Sequence, residues 1–306
     1  RNGVKNDGRA GVLRRWLTDK WGLDFMRSGT GLLDVAGGKG ELAWELQNLA
    51  QVPTTVLEPR ALDFSACQRK FERGLYWRNP LYSKYVEHDV LRGKAEVSPP
   101  KHLRLVLDKS ILEWACDSSS IGHNEAFHSN MRLAELLRWT RKGLHEEDGA
   151  RLGDTKDGKA NESETEKEQT QEKQDKKGEM DDENENDRAS HVDGEGDATT
   201  ISDGEVIESA EEALSIIQNS SAIVSLHPDQ AAGPAVELAL ALKKPFAVVP
   251  CCVYGFEFPK RRLRNGSKVK TYEDLVNYLQ ELSPDIQRED LDFEGKCTVL
   301  YTMPMT

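Results

Sequence analysis

The stretch that decides the fold is Leu32–Leu46, which reads LLDVAGGKGELAWEL. It opens with a short run of mostly apolar residues, typical of a buried strand, and then breaks into three glycines. From Glu41 onward the apolar residues return at helical spacing, with Leu42, Leu46 and Leu49 on one face. A strand, a glycine turn and a helix in such close succession indicate a parallel α/β sheet.

The rest of the chain continues this alternation of short apolar runs and amphipathic stretches. We predict further strands at 54–57, 85–90, 222–226, 246–249 and 297–301. We predict helices around 13–21 and at 41–50, 131–139, 209–218, 231–242 and 271–282. Residues 103–107 compete with 222–226 for the place of the fourth strand. We favour 222–226, since that strand, its polar turn, the next helix and the next strand form one compact crossover. The predicted fold is a Rossmann-like α/β domain with a mostly parallel sheet.

Charge is distributed unevenly along the 306 residues, whose net charge is −12. Between residues 146 and 212 there are 25 acidic and 8 basic residues, a net of −17, which leaves the remainder mildly basic at about +5. Residues 146–208 also lack aromatic side chains, so they cannot bury enough apolar surface to offset the entropy cost of ordering. We therefore predict a disordered acidic insertion at 146–208 that interrupts one domain, with residues 1–145 before it and 209–306 after it.

Composition also narrows the class of protein. The five cysteines show no disulfide framework, which favours a reducing compartment. No apolar run approaches the roughly 20 residues of a membrane span, and no secretory signal is visible. We expect an intracellular protein without a membrane partner, in the cytoplasm or nucleus. The basic start is compatible with an organelle-targeting remnant or with a solvated helix end. The oligomeric state stays open.

The glycine turn has the features of a nucleotide-binding site, because glycine permits close backbone approach and the helix start offers free N–H groups. The spacing does not fit the dinucleotide pattern G-x-G-x-x-G. It fits D-x-G-x-G-x-G, the pattern of S-adenosylmethionine sites, through Asp34, Ala36, Gly38 and Gly40, with Ala36 in place of one glycine. Gly37 completes the turn. The alternative is a turn that only joins a strand to a helix.

Two acids are candidates to complete such a cofactor site. Glu58 ends the second strand, 24 residues after Asp34, where an acid would hold the ribose hydroxyls. Asp89, at the end of the strand predicted at 85–90, would lie near the adenine. The alternative for Glu58 is a solvated strand end.

Polar residues follow two later strands at the edge of the sheet where ligands bind. His227 and Asp229 are candidates for acceptor contact or proton removal; the alternatives are a loop-packing histidine and a helix cap. Cys251 and Cys252 are candidates to line the acceptor pocket, as small buried side chains or through a covalent link. They lack the second Cys or His pair that a closed zinc site needs, so no metal is predicted.

A basic stretch follows the cysteine pair and is a candidate RNA contact. Arg261 and Arg262 are the candidate substrate residues within the loop 260–270, whose basic residues are Lys260, Arg261, Arg262, Arg264, Lys268 and Lys270. These basic side chains could contact successive phosphates of an RNA strand, and its bases could stack on Tyr254, Phe256 and Phe258. The alternative is a solvated turn with its aromatic residues in the core.

Four segments carry a resemblance to a known family: LDVAGGKGELAWEL at 33–46, LHPDQ at 226–230, KPFAVVPCCVY at 244–254 and FPKRRL at 258–263. They resemble a eukaryotic group of methyltransferase-like proteins, with eukaryotic tRNA 2′-O-methyltransferases as more distant kin. The resemblance covers most of the chain outside the insertion. It differs where those tRNA enzymes carry a His-Leu-Cys-Gly turn and zinc-binding modules.

The resemblance implies an S-adenosylmethionine-dependent methyltransferase fold, with a cofactor half before the insertion and an acceptor half after it. The resemblance also implies that the cofactor is S-adenosylmethionine and favours RNA, with tRNA as one candidate, as the methyl acceptor. A catalytically inactive assembly factor that kept the fold is the alternative function. An NAD-dependent oxidoreductase is disfavoured by the glycine spacing.

Overall fold

The computed structural model describes residues 8–87, 90, 96–117 and 204–305. Its strands are β1 (Leu32–Val35), β2 (Thr54–Leu57), β3 (Lys101–Leu103), β4 (Ala222–Leu226), β5 (Phe246–Val249), β6 (Gln287–Asp290) and β7 (Thr298–Tyr301). Its helices are α1 (Arg9–Trp21), α2 (Leu23–Met26), α3 (Glu41–Leu49), α4 (Ser65–Glu72), α5 (Leu75–Arg78), α6 (Pro80–Ser83), α7 (Lys109–Asp117), α8 (Ala210–Asn219), α9 (Ala232–Ala241) and α10 (Tyr272–Gln280).

The seven strands form one sheet in the order β3-β2-β1-β4-β5-β7-β6. The five strands from β3 to β5 run parallel, and β7 runs antiparallel to both of its neighbours. The longest gap in the described residues runs from 118 to 203 and is called the gap below. β1 pairs with β2, which comes before this gap, and with β4, which comes after it. The described residues on the two sides of this gap therefore build a single sheet.

Side chains that alternate along the strands fill apolar layers on both faces of the sheet. On β1, Leu33 and Val35 pack into one cluster with α7, α8, α9 and α10, whereas Leu32 packs into another with α1 and α3. On β5, Phe246 and Ala247 divide between the same two clusters. Burial on both faces explains why these strands read as nearly continuous apolar runs.

Most predicted elements are confirmed. The strands at 32–35, 54–57, 222–226 and 246–249 have the predicted bounds, and the predicted helices with described residues differ from the observed ones by only a few residues at their ends. Thr271 caps α10 through a capping box with Asp274, and Ser209 accepts a hydrogen bond from the Glu212 amide at the start of α8. The predicted helix at 131–139 lies outside the described residues.

The third strand was predicted in the wrong place. Tyr85 lies in a turn with positive φ, and Val86 and Glu87 belong to no strand. The third strand is β3 at 101–103, and the candidate at 103–107 contributes only Leu103 to it. The backbone turns there, because the Leu105 amide donates to the Leu103 carbonyl over 2.9 Å. Asp89, expected after the misplaced strand, lies outside the described residues.

Two features were not predicted. β6 reads QRED and has no apolar signal, since it is an edge strand held mainly by its pairing with β7. The end of the predicted insertion, residues 204–208, joins the fold: His102 exchanges backbone hydrogen bonds with Glu205 and Ile207, and Ile207 is buried. The remainder of that insertion lies outside the described residues.

Arg14, one of the basic residues near the start of the chain, is not solvated as the helix-end alternative would have it. It is fully buried, and its guanidinium donates to Glu45 and to the carbonyls of Tyr82, Lys84 and Tyr85. Within the residues described, no helix has both the length and the apolar character to cross a bilayer.

Candidate functional site

A cleft of about 1350 Å³ opens at the carboxyl ends of the central strands. β2 lies on one side of β1 and β4 on the other, so the direction of the strand order reverses here. Open α/β sheets bind ligands at this position. The walls come from segments that follow strands, within 34–42, 57–60, 105–108, 226–231 and 254–262.

The glycine turn forms the floor of the cleft, and its residues are required for different reasons. Gly37 has no room for a side chain, since a Cβ there would lie 2.8 Å from the Asp34 carboxyl oxygen. Gly38 has φ +59° and open space where a Cβ would stand. Gly40, at φ +82°, packs against Phe64. The backbone at Gly38 is thus left accessible to a ligand.

Ala36, which replaces one glycine of the pattern, also adopts a left-handed conformation, with φ +52°. Three other non-glycine residues that line the cleft do the same: His227, Asp229 and Tyr254. Left-handed backbone costs an L-residue free energy, and such residues concentrate at functional sites.

Glu58 is buried at the end of β2 and links the glycine turn to the second strand. Its carboxylate accepts from the Gly38 amide at 3.1 Å and from the Arg60 amide at 3.1 Å. The Arg60 guanidinium also donates to it, at 2.7 Å through Nε. Glu58 is therefore not a solvated strand end. Its oxygens face the turn, with the Gly38 amide and Arg60 as their present partners.

Asp34 is fully buried, and no hydrogen bond of ordinary geometry reaches its carboxyl oxygens, although the backbone amide of Ala43 is close enough to favour the charged form. Burial raises the pKa of Asp34 to about 8, and the negative charge of Glu58 adds to this. The carboxyl is therefore largely protonated at neutral pH. It lines the cleft beneath Gly37.

His227 has partners at both ring nitrogens. Its Nε2 lies 2.9 Å from the Lys296 carbonyl and so donates to it, which leaves Nδ1 to accept from Arg9 at 3.0 Å. Burial lowers the pKa of His227, and the charge of Arg9 opposes protonation further. The ring also contacts Phe293 edge-on. His227 is a neutral imidazole that joins the turn after β4 to two distant segments.

Asp229 is the exposed carboxylate of this turn and lines the cleft. The helix-cap alternative is wrong, because Asp229 occupies neither capping position: Pro228 precedes the short 3-10 turn Asp229–Ala231, and Ala231 precedes α9. The Cys251 thiol instead donates to Asp229, with an Sγ–Oδ1 distance of 3.3 Å.

The two cysteines differ in exposure: Cys251 is buried and Cys252 is partly exposed. Burial raises the pKa of Cys251 to about 12, so this side chain is a thiol at neutral pH. A protonated thiol is a poor nucleophile, which disfavours a covalent link through Cys251. The expected pocket-wall role is not seen either, because neither cysteine is among the residues that line the cleft.

Only part of the basic loop reaches the cleft. Lys260, Arg261 and Arg262 line it, whereas Arg264 is turned toward Glu281 and donates to that residue's backbone carbonyl at 2.7 Å. The Arg262 guanidinium donates to the Pro259 carbonyl at 2.7 Å, which stiffens its own turn. The cationic wall is therefore the short segment 260–262.

Aromatic residues accompany these cations. The Arg261 guanidinium lies 3.5 Å from the ring centroid of Phe258 and packs against Gly233 of α9. Burial lowers the pKa of Arg261. Phe256 is 99% exposed, and Tyr254 lines the cleft. The alternative of a turn with all its aromatic residues in the core is wrong for Phe256.

Sequence reasoning missed two cleft residues that bind other site residues, Arg9 and Arg60. Arg60 follows Glu58 by two positions, so a nearby basic residue was a usable signal. Arg9 is 218 positions away from His227, and no local pattern indicates that contact.

No protein-family model, curated protein or solved structure matches this chain.

Proposed function

We propose that this chain is an S-adenosylmethionine-dependent methyltransferase that acts on RNA. The observation that carries the proposal is the floor of the cleft at the end of β1. There, the buried Asp34 carboxyl lacks a hydrogen bond of ordinary geometry, and the Gly38 backbone is open to a ligand. A buried polar group without a partner is costly, and a ligand with hydrogen-bonding groups would relieve that cost.

The residues present fit the cofactor. Asp34 and the turn 36–40 would hold its polar groups, and Glu58 would hold the ribose hydroxyls after Arg60 moves aside. The cleft exceeds the roughly 300–1,000 Å³ typical of a single small-molecule site, so there is room for a donor and part of an acceptor. The bound cofactor would supply an activated methyl group on a cationic sulfur.

A dinucleotide cofactor is the less favoured ligand of the same turn. The glycine spacing departs from G-x-G-x-x-G, and the sheet order departs from the dinucleotide order 3-2-1-4-5-6, since antiparallel β7 lies between β5 and β6.

The turn after β4 would position the acceptor. His227 is held between Arg9 and Lys296, so it would fix the turn rather than remove a proton. Asp229 is exposed to the cleft and is our candidate for acceptor contact or proton removal. Methyl transfer is an in-line displacement, for which proximity and orientation supply most of the rate.

RNA is the favoured acceptor because the cations of one cleft wall belong to the same segment as an exposed aromatic ring, Phe256, which lies outside the cleft lining. Lys260 and Arg262 would contact phosphates, while Phe256 would stack on a base. Glu237 and Glu257 also line the cleft, so the cationic surface is local and suits a single strand better than a duplex.

Cofactor binding is tested by calorimetry with S-adenosylhomocysteine on the full chain, with NAD as comparison. We expect S-adenosylhomocysteine to bind with micromolar affinity and NAD not to bind. Gly38→Arg should abolish it, since the new side chain points into open cleft space. Gly22→Arg is the matched control: Gly22 has φ +75° and equally open surroundings, but lies outside the cleft wall. Absence of binding by the folded wild-type chain would sink the proposal.

The acceptor is tested by methyl transfer to total RNA and by RNA binding at several salt concentrations. Lys260→Glu should weaken binding and reduce the slope of log K against log salt by about 1. Lys243→Glu is the control, because Lys243 is exposed and does not line the cleft. Equal effects of the two variants would remove RNA as the acceptor.

A cofactor-binding assembly factor without turnover is the second candidate. It is favoured by the His227 ring, whose two nitrogens both have partners within the chain. This candidate would be supported if the chain binds S-adenosylhomocysteine but transfers no methyl group to RNA, protein or small molecules.

A further inference from the structure

Three potential metal ligands meet beside the cleft. The ligand atoms of Asp229, Cys251 and Cys252 all lie within 4.8 Å of one another. Among the residues that the structure describes, they form the one such group of three. The sequence did not indicate it, because Asp229 lies 22 positions before Cys251 and the cysteines alone lack a further ligand pair.

The geometry points to a binding site for one thiophilic divalent ion, best matched by Zn²⁺, held by Asp229, Cys251 and Cys252. The two sulfurs bind as thiolates, and their protons pass to solvent as the ion binds. Zinc binds thiolate sulfur at about 2.3 Å and carboxylate oxygen at about 2.0–2.2 Å, so ligands at tetrahedral angles stand about 3.6–3.8 Å apart. The Cys251 sulfur already lies 3.3 Å from the Asp229 oxygen. Small side-chain rotations would bring all three atoms to these separations.

The choice of ion follows from the ligands. Two sulfurs and one carboxylate oxygen exclude a magnesium or calcium site, since both of those ions require oxygen ligands throughout. Thiolates select zinc and cuprous copper in cells. The single carboxylate favours zinc over copper, because zinc accepts mixed sulfur and oxygen ligands in tetrahedral sites.

Three protein ligands leave the fourth position of a tetrahedral zinc open, as in catalytic rather than structural sites. Asp229 is exposed and lines the cleft, whereas Cys251 is buried behind it. The open position would therefore lie on the cleft side, where an acceptor oxygen or nitrogen could bind. This inference does not depend on methyl transfer, because the ion would occupy the acceptor wall whichever cofactor the glycine turn holds.

The supporting shell of the site is already in place. The Asp229 turn is held by His227, whose amide donates to the Val249 carbonyl at the end of β5 at 3.0 Å. The segment that carries Cys251 and Cys252 begins directly after that same strand. The two ligand-bearing turns are thus tied together at adjacent parallel strands, which limits how far the ligands can separate.

The test is Co²⁺ titration of the reduced full chain, followed by displacement with Zn²⁺. Cobalt bound to thiolates gives a charge-transfer absorption in the near ultraviolet. We expect one cobalt per chain, an absorption typical of two thiolates, and its complete loss on adding one equivalent of Zn²⁺. A folded wild-type chain that gives no thiolate absorption would overturn the site, and that measurement needs no variant.

Three variants assign the ligands. Cys251→Ser and Cys252→Ser should each halve the absorption per bound cobalt. Asp229→Asn should keep it but weaken binding more than about tenfold, the minimum expected for a direct ligand. Cys297→Ser is the matched control, since Cys297 is partly exposed but belongs to the segment before β7. An absorption that depends on Cys297 and not on Cys251 and Cys252 would also overturn the proposal.

Discussion

Ala36 stands where the S-adenosylmethionine-site pattern has a glycine, and its backbone is strained as a result. Its φ of +52° is a left-handed conformation that costs an L-residue about 1–2 kcal/mol, whereas glycine adopts it freely. We expect Ala36→Gly to raise the free energy of unfolding by about 1 kcal/mol, because the strain exceeds the entropy that glycine adds to the unfolded chain. Urea unfolding of the two proteins measures the difference.

The control for this change is Ala66→Gly. Ala66 is exposed within α4, where glycine lowers stability by about 1 kcal/mol. If both substitutions destabilise the protein to the same extent, the turn is not strained at position 36.

The raised pKa of Asp34 makes the stability of the folded protein depend on pH. Its pKa is about 8 in the folded protein and near 3.8 when exposed, so the folded state binds the extra proton between these values. Stability from this group is therefore full below about pH 4 and is lost as the pH rises toward 8, with a slope of at most about 1.4 kcal/mol per pH unit. Asp34→Asn should flatten the curve across that window. Unfolding series for both proteins from pH 5 to 8.5 provide the measurement, and parallel curves would contradict the raised pKa.

At the scale of single residues, sequence reasoning identified the local parts of the site. The glycines and Glu58 are specified by spacing within one strand–turn–helix–strand unit. The contacts between Arg9 and His227 and between Asp229 and Cys251 join segments far apart in the chain, so no local pattern could predict them.

At the scale of elements, α1 and α3 are joined by a buried ion pair between Arg14 and Glu45, with side chains 0% and 1% exposed. Burial raises the pKa of Glu45 to about 7 although Arg14 lies beside it. Arg14→Met should cost about 3–5 kcal/mol of stability, because it leaves a buried carboxyl and three carbonyls without their donor. Glu45→Gln should cost less than half as much, since Arg14 keeps its carbonyl partners. Denaturant unfolding at pH 7.5 compares them, and equal losses would show that the ion pair itself dominates.

Elements were predictable where burial on both faces produced apolar runs, as in β1, β2, β4 and β5. Prediction failed where an element depends on its neighbours. β6 is polar and exists through its pairing with β7, and β3 is only three residues long. The run at 85–90 reads like a strand, yet Val86 and Val90 are buried against α3 instead.

At the scale of the whole molecule, the described residues on the two sides of the gap cannot form the sheet separately. β4 lies between β1 and β5, and the Ser225 hydroxyl donates to the Val35 carbonyl within the core. Ile223 shares one apolar cluster with Leu33 and Val35. Cleavage of the backbone between residues 148 and 200 should therefore leave two fragments that remain bound to each other.

We expect the nicked protein to elute as one species in native buffer and to separate only in denaturant. Ile223→Ala should lower the denaturant concentration at which the fragments part, since truncating a buried isoleucine costs about 2–5 kcal/mol. Lys243→Ala, in the exposed turn that follows α9, should leave it unchanged. Fragments that separate in native buffer would mean that the two sides of the gap fold as independent units. The shared cleft, with the glycine turn on one fragment and the Asp229 turn on the other, would then not exist in solution.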